Sequence, residues 1–71
     1  MTTYVAVDKG GSEWIHDSKP YRDKYMYLWV TRDSGSQFIQ LPKGTIQLLL
    51  GEKITWEHRP VKLVGVKNYF K

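Results

Sequence analysis

Apolar and polar residues alternate in short runs along most of the chain, a pattern typical of half-buried β-strands. The first run, from Thr3 to Asp8, alternates around Val5 and Val7. The turn that follows is Lys9-Gly10-Gly11, which suits a tight reversal because glycine adopts positive φ without steric cost. A second run from Ser12 to His16 returns the chain, so this region predicts a β-hairpin.

Two further runs predict a second hairpin. Tyr25 to Val30 alternates strictly, which places its aromatic side chains on one face of a strand and its aliphatic ones on the other. Asp33-Ser34-Gly35 supplies turn residues, and Gln37 to Leu41 returns as the partner strand.

The stretch from Pro42 to Leu50 predicts a helix. Proline suits the first helical position, and Gly51 stands where a helix commonly ends. Three apolar side chains stand at i, i+3 and i+4 and predict a face toward a core: Ile46, Leu49 and Leu50. Gly44 weakens the first turn by up to ~1 kcal/mol, which leaves Thr45 as an alternative first residue.

The last two apolar runs, Lys53 to Glu57 and Val61 to Val66, predict a final strand pair interrupted at His58-Arg59-Pro60. The 71 residues therefore predict one α+β domain that is mostly β. We expect a bent antiparallel sheet or a small open barrel of five to six short strands, with one short helix.

The composition excludes several classes of protein. The chain contains no cysteine, so it has neither disulfides nor thiolate zinc sites. No apolar run approaches the ~20 residues that span a bilayer, and the N-terminus lacks the plan of a signal peptide. We therefore expect a protein that does not insert into membranes, and the lack of cysteine is compatible with the cytoplasm.

The charge is unevenly distributed. The net charge of +4 lies in the second half of the chain. Four residues there form a candidate basic patch: Arg59, Lys62, Lys67 and Lys71. Such a patch favours an anionic partner, although a small soluble domain commonly carries a charge of this size without one.

The predicted aromatic strand is the candidate binding surface. Its members are Tyr25, Tyr27 and Trp29, with Arg22, Lys24 and Arg32 nearby. Exposed aromatic rings beside cations stack and hold single-stranded nucleic acid. The alternatives are that the aromatic rings form the core, or that they are buried in a dimer.

The search for catalytic and metal-binding patterns gives little. The histidines, His16 and His58, are each adjacent to an acidic residue, but neighbours on a strand point to opposite faces. Asp17 and Glu57 could join them in a metal site only if the predicted strands Ser12–His16 and Lys53–Glu57 were adjacent. No nucleophile elbow or phosphate loop is present in the sequence, so we expect no enzyme activity, cofactor or metal.

Leu41-Pro42-Lys43-Gly44-Thr45-Ile46, followed by Gly51, Ile54-Thr55-Trp56 and Pro60-Val61-Lys62-Leu63, resembles small uncharacterised proteins encoded by phages and prophages. The opening segment from Val5 to Ile15 resembles the same group. The resemblance implies an accessory protein in a bacterial host and no particular chemistry. The expected function is non-enzymatic binding of a protein partner or of a second copy, with single-stranded nucleic-acid binding as the alternative.

Overall fold

The structure is a computed structural model that describes residues 3–32 and 35–63. Its elements are strands β1 (Thr3–Val7), β2 (Glu13–His16), β3 (Tyr21–Asp23), β4 (Leu28–Val30), β5 (Phe38–Leu41) and β6 (Val61–Leu63), and helix α1 (Thr45–Leu50). The predicted class is confirmed, because the described residues form six short strands and one short helix, which is a mostly β α+β fold. The described helix is too short to cross a membrane.

The strands form two antiparallel sheets. The larger sheet has the order β5-β2-β1-β6, and β3 and β4 pair separately as a two-stranded ribbon. In the described part of the chain these sheets do not close into a barrel. The first predicted hairpin is confirmed, with Val5 opposite Ile15 and with Gly11 in the turn at a φ of 94°.

The core lies between one face of the larger sheet and the segment 46–54. Val5 and Val7 from β1 pack with Ile46 of α1 and with Ile54. Partly buried residues surround this cluster: Ile15, Leu41, Leu50, Val61 and Leu63. Because the cluster is small, each of its members is important for the stability of the domain.

Helix α1 begins at Thr45 rather than at Pro42, because Gly44 takes a φ of 94°, which is not helical. Gly51 ends the helix as predicted, with a φ of 76° and its N–H donated to the Gln47 carbonyl. The predicted core face is wrong at Leu49, which is exposed.

The predicted strand Tyr25–Val30 is wrong in its first half. Residues 24–27 form a turn, because the Asp23 carboxylate accepts hydrogen bonds from the N–H groups of Tyr25 (2.9 Å) and Met26 (3.1 Å). Tyr27 closes the turn with a φ of 57°. An aspartate that bonds to following backbone groups is a recognised cause of such a turn. The strand resumes at Leu28 and pairs with β3.

Two predicted pairings are also wrong. β5 pairs with β2 instead of with the Tyr25–Val30 region, and β6 pairs with β1 instead of with Lys53–Glu57. The segment Lys53–Glu57 contains no strand; a turn begins at its end, where the Thr55 N–H donates to His58 Nδ1 at 2.9 Å. The end of the predicted last strand, residues 64–66, lies outside the described residues.

Candidate functional site

The outer edge of β5 is the candidate binding site. β5 is the terminal strand of the larger sheet and pairs on one side with β2. Its sequence, Phe38-Ile39-Gln40-Leu41, contains no charge and no proline. A terminal strand of this kind presents unpaired N–H and C=O groups that can pair with another strand.

The direction of the backbone groups follows from the bonds at the start of the strand. The Asp17 N–H donates to the Gln37 carbonyl at 3.1 Å, and the Gln37 N–H donates to Asp17 Oδ1 at 2.9 Å. Backbone groups alternate in direction along a strand, so Ile39 and Leu41 also point theirs toward β2. Phe38 and Gln40 therefore present their N–H and C=O groups outward, where a further strand could bind.

The side chains of this edge are apolar and accessible. Phe38 is 56% exposed and Ile39 is 66% exposed. The Phe38 ring lies against Trp14 with a centroid separation of 5.6 Å and against His16 at 5.7 Å. Phe38 and Ile39 are neighbours on the strand and point to opposite faces of the sheet, so each face of the edge carries one exposed apolar side chain.

His16 lies directly opposite Phe38 in the sheet and is buried. Neither of its ring nitrogens has a hydrogen-bond partner within the described ranges. Desolvation lowers the pKa of His16 below its ordinary value of 6.5, and the nearby charges of Asp8 and Asp17 oppose this shift. Burial therefore favours the neutral form of this imidazole, which lies beside the β5 edge.

The position of β5 also depends on Glu13, which stands opposite Leu41. The Glu13 carboxylate accepts hydrogen bonds from the N–H groups of Gly44 (2.6 Å) and Ile46 (2.8 Å). These are backbone donors at the start of α1 that have no partner within the helix. A side chain of β2 thereby fixes the connection between β5 and the helix.

The predicted aromatic surface is split between a buried and an exposed part. Trp29 is 8% exposed, and its Nε1–H donates to the Val7 carbonyl at 2.8 Å. Its backbone N–H donates to Asp8, which also accepts from Trp14 Nε1 at 2.7 Å. The Asp8 carboxylate anchors Trp29 at the end of β1, where the ring is buried. Trp29 is therefore not an exposed stacking residue, which corrects its place in the predicted surface.

Arg22, a residue of the predicted binding surface, is exposed, and its guanidinium contacts other parts of the protein. Its guanidinium carbon lies 5.0 Å from the ring centroids of both Trp29 and Trp56. One of its nitrogens donates to the Trp56 carbonyl at 2.7 Å. The charge therefore joins the β3–β4 ribbon to the segment 53–60.

The exposed part of the predicted surface lies on the β3–β4 ribbon. Tyr25 is 96% exposed at the tip, beside the exposed Lys24. Tyr27 is approached by Lys9 Nζ at 4.1 Å from its ring centroid. Farther along the ribbon, the Arg32 guanidinium lies 4.5 Å from the Tyr21 ring. Of the predicted basic patch, Arg59 and Lys62 are exposed, whereas Lys67 and Lys71 lie outside the described residues.

A groove of about 580 Å³ lies between the first hairpin and the segments at both ends of α1. The lysines of its lining are Lys9, Lys43 and Lys53, and its carboxylates are Asp8, Glu13 and Glu57. Asp8 and Glu13 already accept backbone or indole N–H groups. Among the residues that the structure describes, no three histidine or acidic side chains cluster as a metal site.

Sequence reasoning missed the β5 edge, Asp8 and Glu13. The sequence signal for the β5 edge is the lack of charge within a predicted strand. The pairing of this strand with β2 joins segments that are distant in the sequence, so the local pattern does not show that β5 lies at an edge. Asp8 ends an apolar run, and a carboxylate buried there needs hydrogen-bond donors. Its donors lie 6 and 21 residues away along the chain, so the local sequence does not identify them. Glu13 stands 31 and 33 residues before the N–H groups that it binds.

No protein-family model matches the chain, and no curated protein or solved structure is significantly similar to it.

Proposed function

We propose that this is a non-enzymatic binding protein whose β5 edge pairs with an extended strand of a protein partner or of a second copy. The observation that carries the proposal is the combination of outward backbone groups at Phe38 and Gln40 with exposed side chains at Phe38 and Ile39. Strand addition of this kind derives affinity from main-chain hydrogen bonds and specificity from alternate side chains.

The lack of charge on β5 supports binding at this edge. An inward or edge lysine is a common device that prevents strands from pairing, and β5 has none. The carboxylates Asp8 and Glu13 are engaged by protein N–H groups, which supports a role in holding the fold rather than in catalysis. The proposed function is therefore the binding of another strand, with no catalytic step.

A labelled peptide of alternating threonine and valine tests the proposal, because it offers strand-forming backbone groups without charge. We expect its fluorescence anisotropy to rise on titration with the protein. Ile39→Lys places a charge on the edge and is expected to weaken this binding at least about ten-fold. Leu48→Lys, which introduces the same charge on exposed α1, is the matched control and is expected to bind like the parent.

The proposal fails if the peptide does not bind at millimolar protein, or if Ile39→Lys and the parent bind it equally. Circular dichroism of Ile39→Lys verifies that the variant is folded, which is expected because Ile39 is exposed.

We further propose that the protein is an accessory factor of a phage or prophage and acts in the cytoplasm of the bacterial host. The support is the resemblance of Val5–Ile15 and Leu41–Ile46 to small phage-encoded proteins. Transcription that rises with prophage induction is the expected result. Transcription that stays constant while a prophage carrying this gene is induced would contradict this role.

Single-stranded nucleic-acid binding is the second candidate function, and the exposed ribbon favours it. Tyr21, Tyr25 and Tyr27 are exposed, and each lies beside a cation in space or in sequence. Aromatic rings stack on bases, and nearby cations neutralise phosphates.

A labelled twelve-residue oligothymidine tests this candidate. Binding at low salt that weakens steeply as salt rises is the expected result. Tyr25→Ala removes a stacking ring worth ~1–3 kcal/mol and is expected to weaken binding by about five- to a hundred-fold. Leu48→Ala, an equally accessible position on α1, is the control. Absence of binding at low salt ends this candidate without affecting the β5 proposal.

A further inference from the structure

We infer that the occupant of the β5 edge is β5 of a second copy, paired antiparallel with Ile39 on the two-fold axis. The inference rests on the proposed function of this edge. It joins two four-stranded sheets into one continuous eight-stranded sheet across a symmetric interface.

The direction of the backbone groups limits the possible registers, and only the one centred on Ile39 pairs both outward residues within the bounds of β5. Hydrogen-bonded pairs across a new interface must form between residues that point outward, which are Phe38 and Gln40. Centring the axis on Ile39 places Phe38 of each copy opposite Gln40 of the other, so that every outward N–H and C=O of the two residues is paired. Centring it on Gln40 would instead place Phe38 opposite Pro42, which has no N–H to donate.

The charge of the segment supports a second copy as the occupant. Like residues approach each other at a two-fold axis, so a charge there would face itself. The segment 37–41 carries no charge although the chain carries +4 overall. The exposed Ile39 side chain would meet its own copy in a non-hydrogen-bonded pair, where cross-strand side chains lie closest.

The other edge strand explains why pairing would stop at two copies. β6 carries Lys62 at its centre and follows Pro60 directly, and both residue types discourage further pairing. A self-complementary edge opposite a protected one gives a closed dimer instead of an open fibre. Because β5 has four residues, the interface is small, and the dimer is expected to dissociate on dilution.

Disulfide trapping tests the inference because the chain contains no cysteine of its own. Ile39→Cys places two thiols across the axis at a Cα separation of about 4.5 Å, within the range that a disulfide spans. With oxidised glutathione present, we expect Ile39→Cys to form covalent dimer at least ten times faster than Leu48→Cys, a control on exposed α1. A mixture of Phe38→Cys and Gln40→Cys chains is expected to yield mainly the mixed dimer.

Sedimentation of the cysteine-free parent completes the test, with an average mass that rises toward twice 8.3 kDa as concentration increases. Equal trapping of Ile39→Cys and Leu48→Cys, together with a constant monomer mass, overturns the inference. If the alternating peptide still binds at β5, the proposed function survives and the partner is a different protein. If the peptide also fails, both proposals fall.

Discussion

The two edge strands of the larger sheet differ in ways that bear on function. β5 is uncharged and mostly exposed, whereas β6 has a central Lys62 and a preceding Pro60. The side chains of β6 that flank Lys62 pack against the core, but Phe38 and Ile39 of β5 remain accessible. One edge is therefore protected against pairing, and the other has the features of a surface that pairs.

The difference shows that apolar residues in a small sheet serve two purposes. Val61 and Leu63 of β6 pack beside Val5 and contribute to the core. Ile39 occupies an equivalent strand position opposite Ile15, yet most of its surface is left in water. Burial within the described chain does not account for Ile39, whereas the strand that we propose to bind at β5 would contact it.

The largest expected effect comes from the core that supports both edges. Ile46→Asp buries an unpaired carboxylate at a position that is 2% exposed. The cost is expected to be several kcal/mol, comparable with the whole free energy of unfolding of a small domain. Loss of the cooperative thermal transition, followed by circular dichroism, checks this prediction. Leu48→Asp is the matched control, and a folded Ile46→Asp would contradict the assigned core.

The next largest effect is expected at Asp8, which holds the ribbon on the sheet. Asp8→Ala leaves Trp14 Nε1 and the Trp29 N–H without their acceptor. We expect the free energy of unfolding in urea to fall by about 2–4 kcal/mol, because buried donors lose their partner. Asp8→Asn keeps one acceptor and should lose less. Equal stability of Asp8→Ala and the parent would show that the anchor is not needed.

A smaller effect is expected from pH, through His16 beneath the β5 edge. Desolvation lowers the pKa of His16 in the folded protein below the value of 6.5 that applies to the unfolded chain. The unfolded state therefore binds the proton more readily, and stability is expected to fall as pH drops below 6.5 until the folded pKa is passed. Urea midpoints measured at successive pH values check this dependence.

The variant His16→Leu removes this titration and is the control for the pH experiment. Its stability is expected to change less than that of the parent between pH 7 and about pH 5, above the range of ordinary carboxyl titration. An equal fall in both proteins would assign the pH dependence to other groups.

The smallest effect on stability is expected when the residues of the two edges are exchanged. The double variant Ile39→Lys/Lys62→Ile keeps composition and net charge while it moves the lysine from β6 to β5. Because both positions are exposed, the free energy of unfolding should change by less than about 0.5 kcal/mol. Amide exchange at Phe38 and Gln40 is expected to become independent of concentration, because the lysine now lies on β5. Exchange at these residues that still slows with concentration would contradict the difference between the edges.

Local patterns predicted more of the elements than of their arrangement. The first hairpin and the stop of α1 at Gly51 follow from glycine chemistry and alternation, and both are confirmed. Tyr25–Val30 failed as one strand because the Asp23 side chain stabilises a turn, which alternation does not reveal. The pairing of β5 with β2 failed for another reason: it is a contact between distant segments.

The same limit applies to the candidate site. The exposure of Tyr25 and Tyr27 was one of the predicted outcomes, but Trp29 is buried because its indole and backbone find acceptors on β1 and Asp8. Whether a strand ends a sheet depends on all the other strands. Among residues 3–32 and 35–63, the position of Phe38–Leu41 at the edge of the sheet therefore becomes visible when the strand order is known.

Amide hydrogen exchange across a range of protein concentrations tests the central claim most directly. The outward N–H groups of Phe38 and Gln40 are expected to exchange more slowly as concentration rises, because pairing with a second copy protects them. Lys62 is the matched control on the other edge. The bond between the Asp8 N–H and the Ser12 carbonyl fixes which backbone groups of β1 face β2 and which face β6, and by this alternation the Lys62 N–H points away from β1. Its exchange rate should not change with concentration. Exchange at Phe38 and Gln40 that is independent of concentration, or equal slowing at Lys62, would contradict the account.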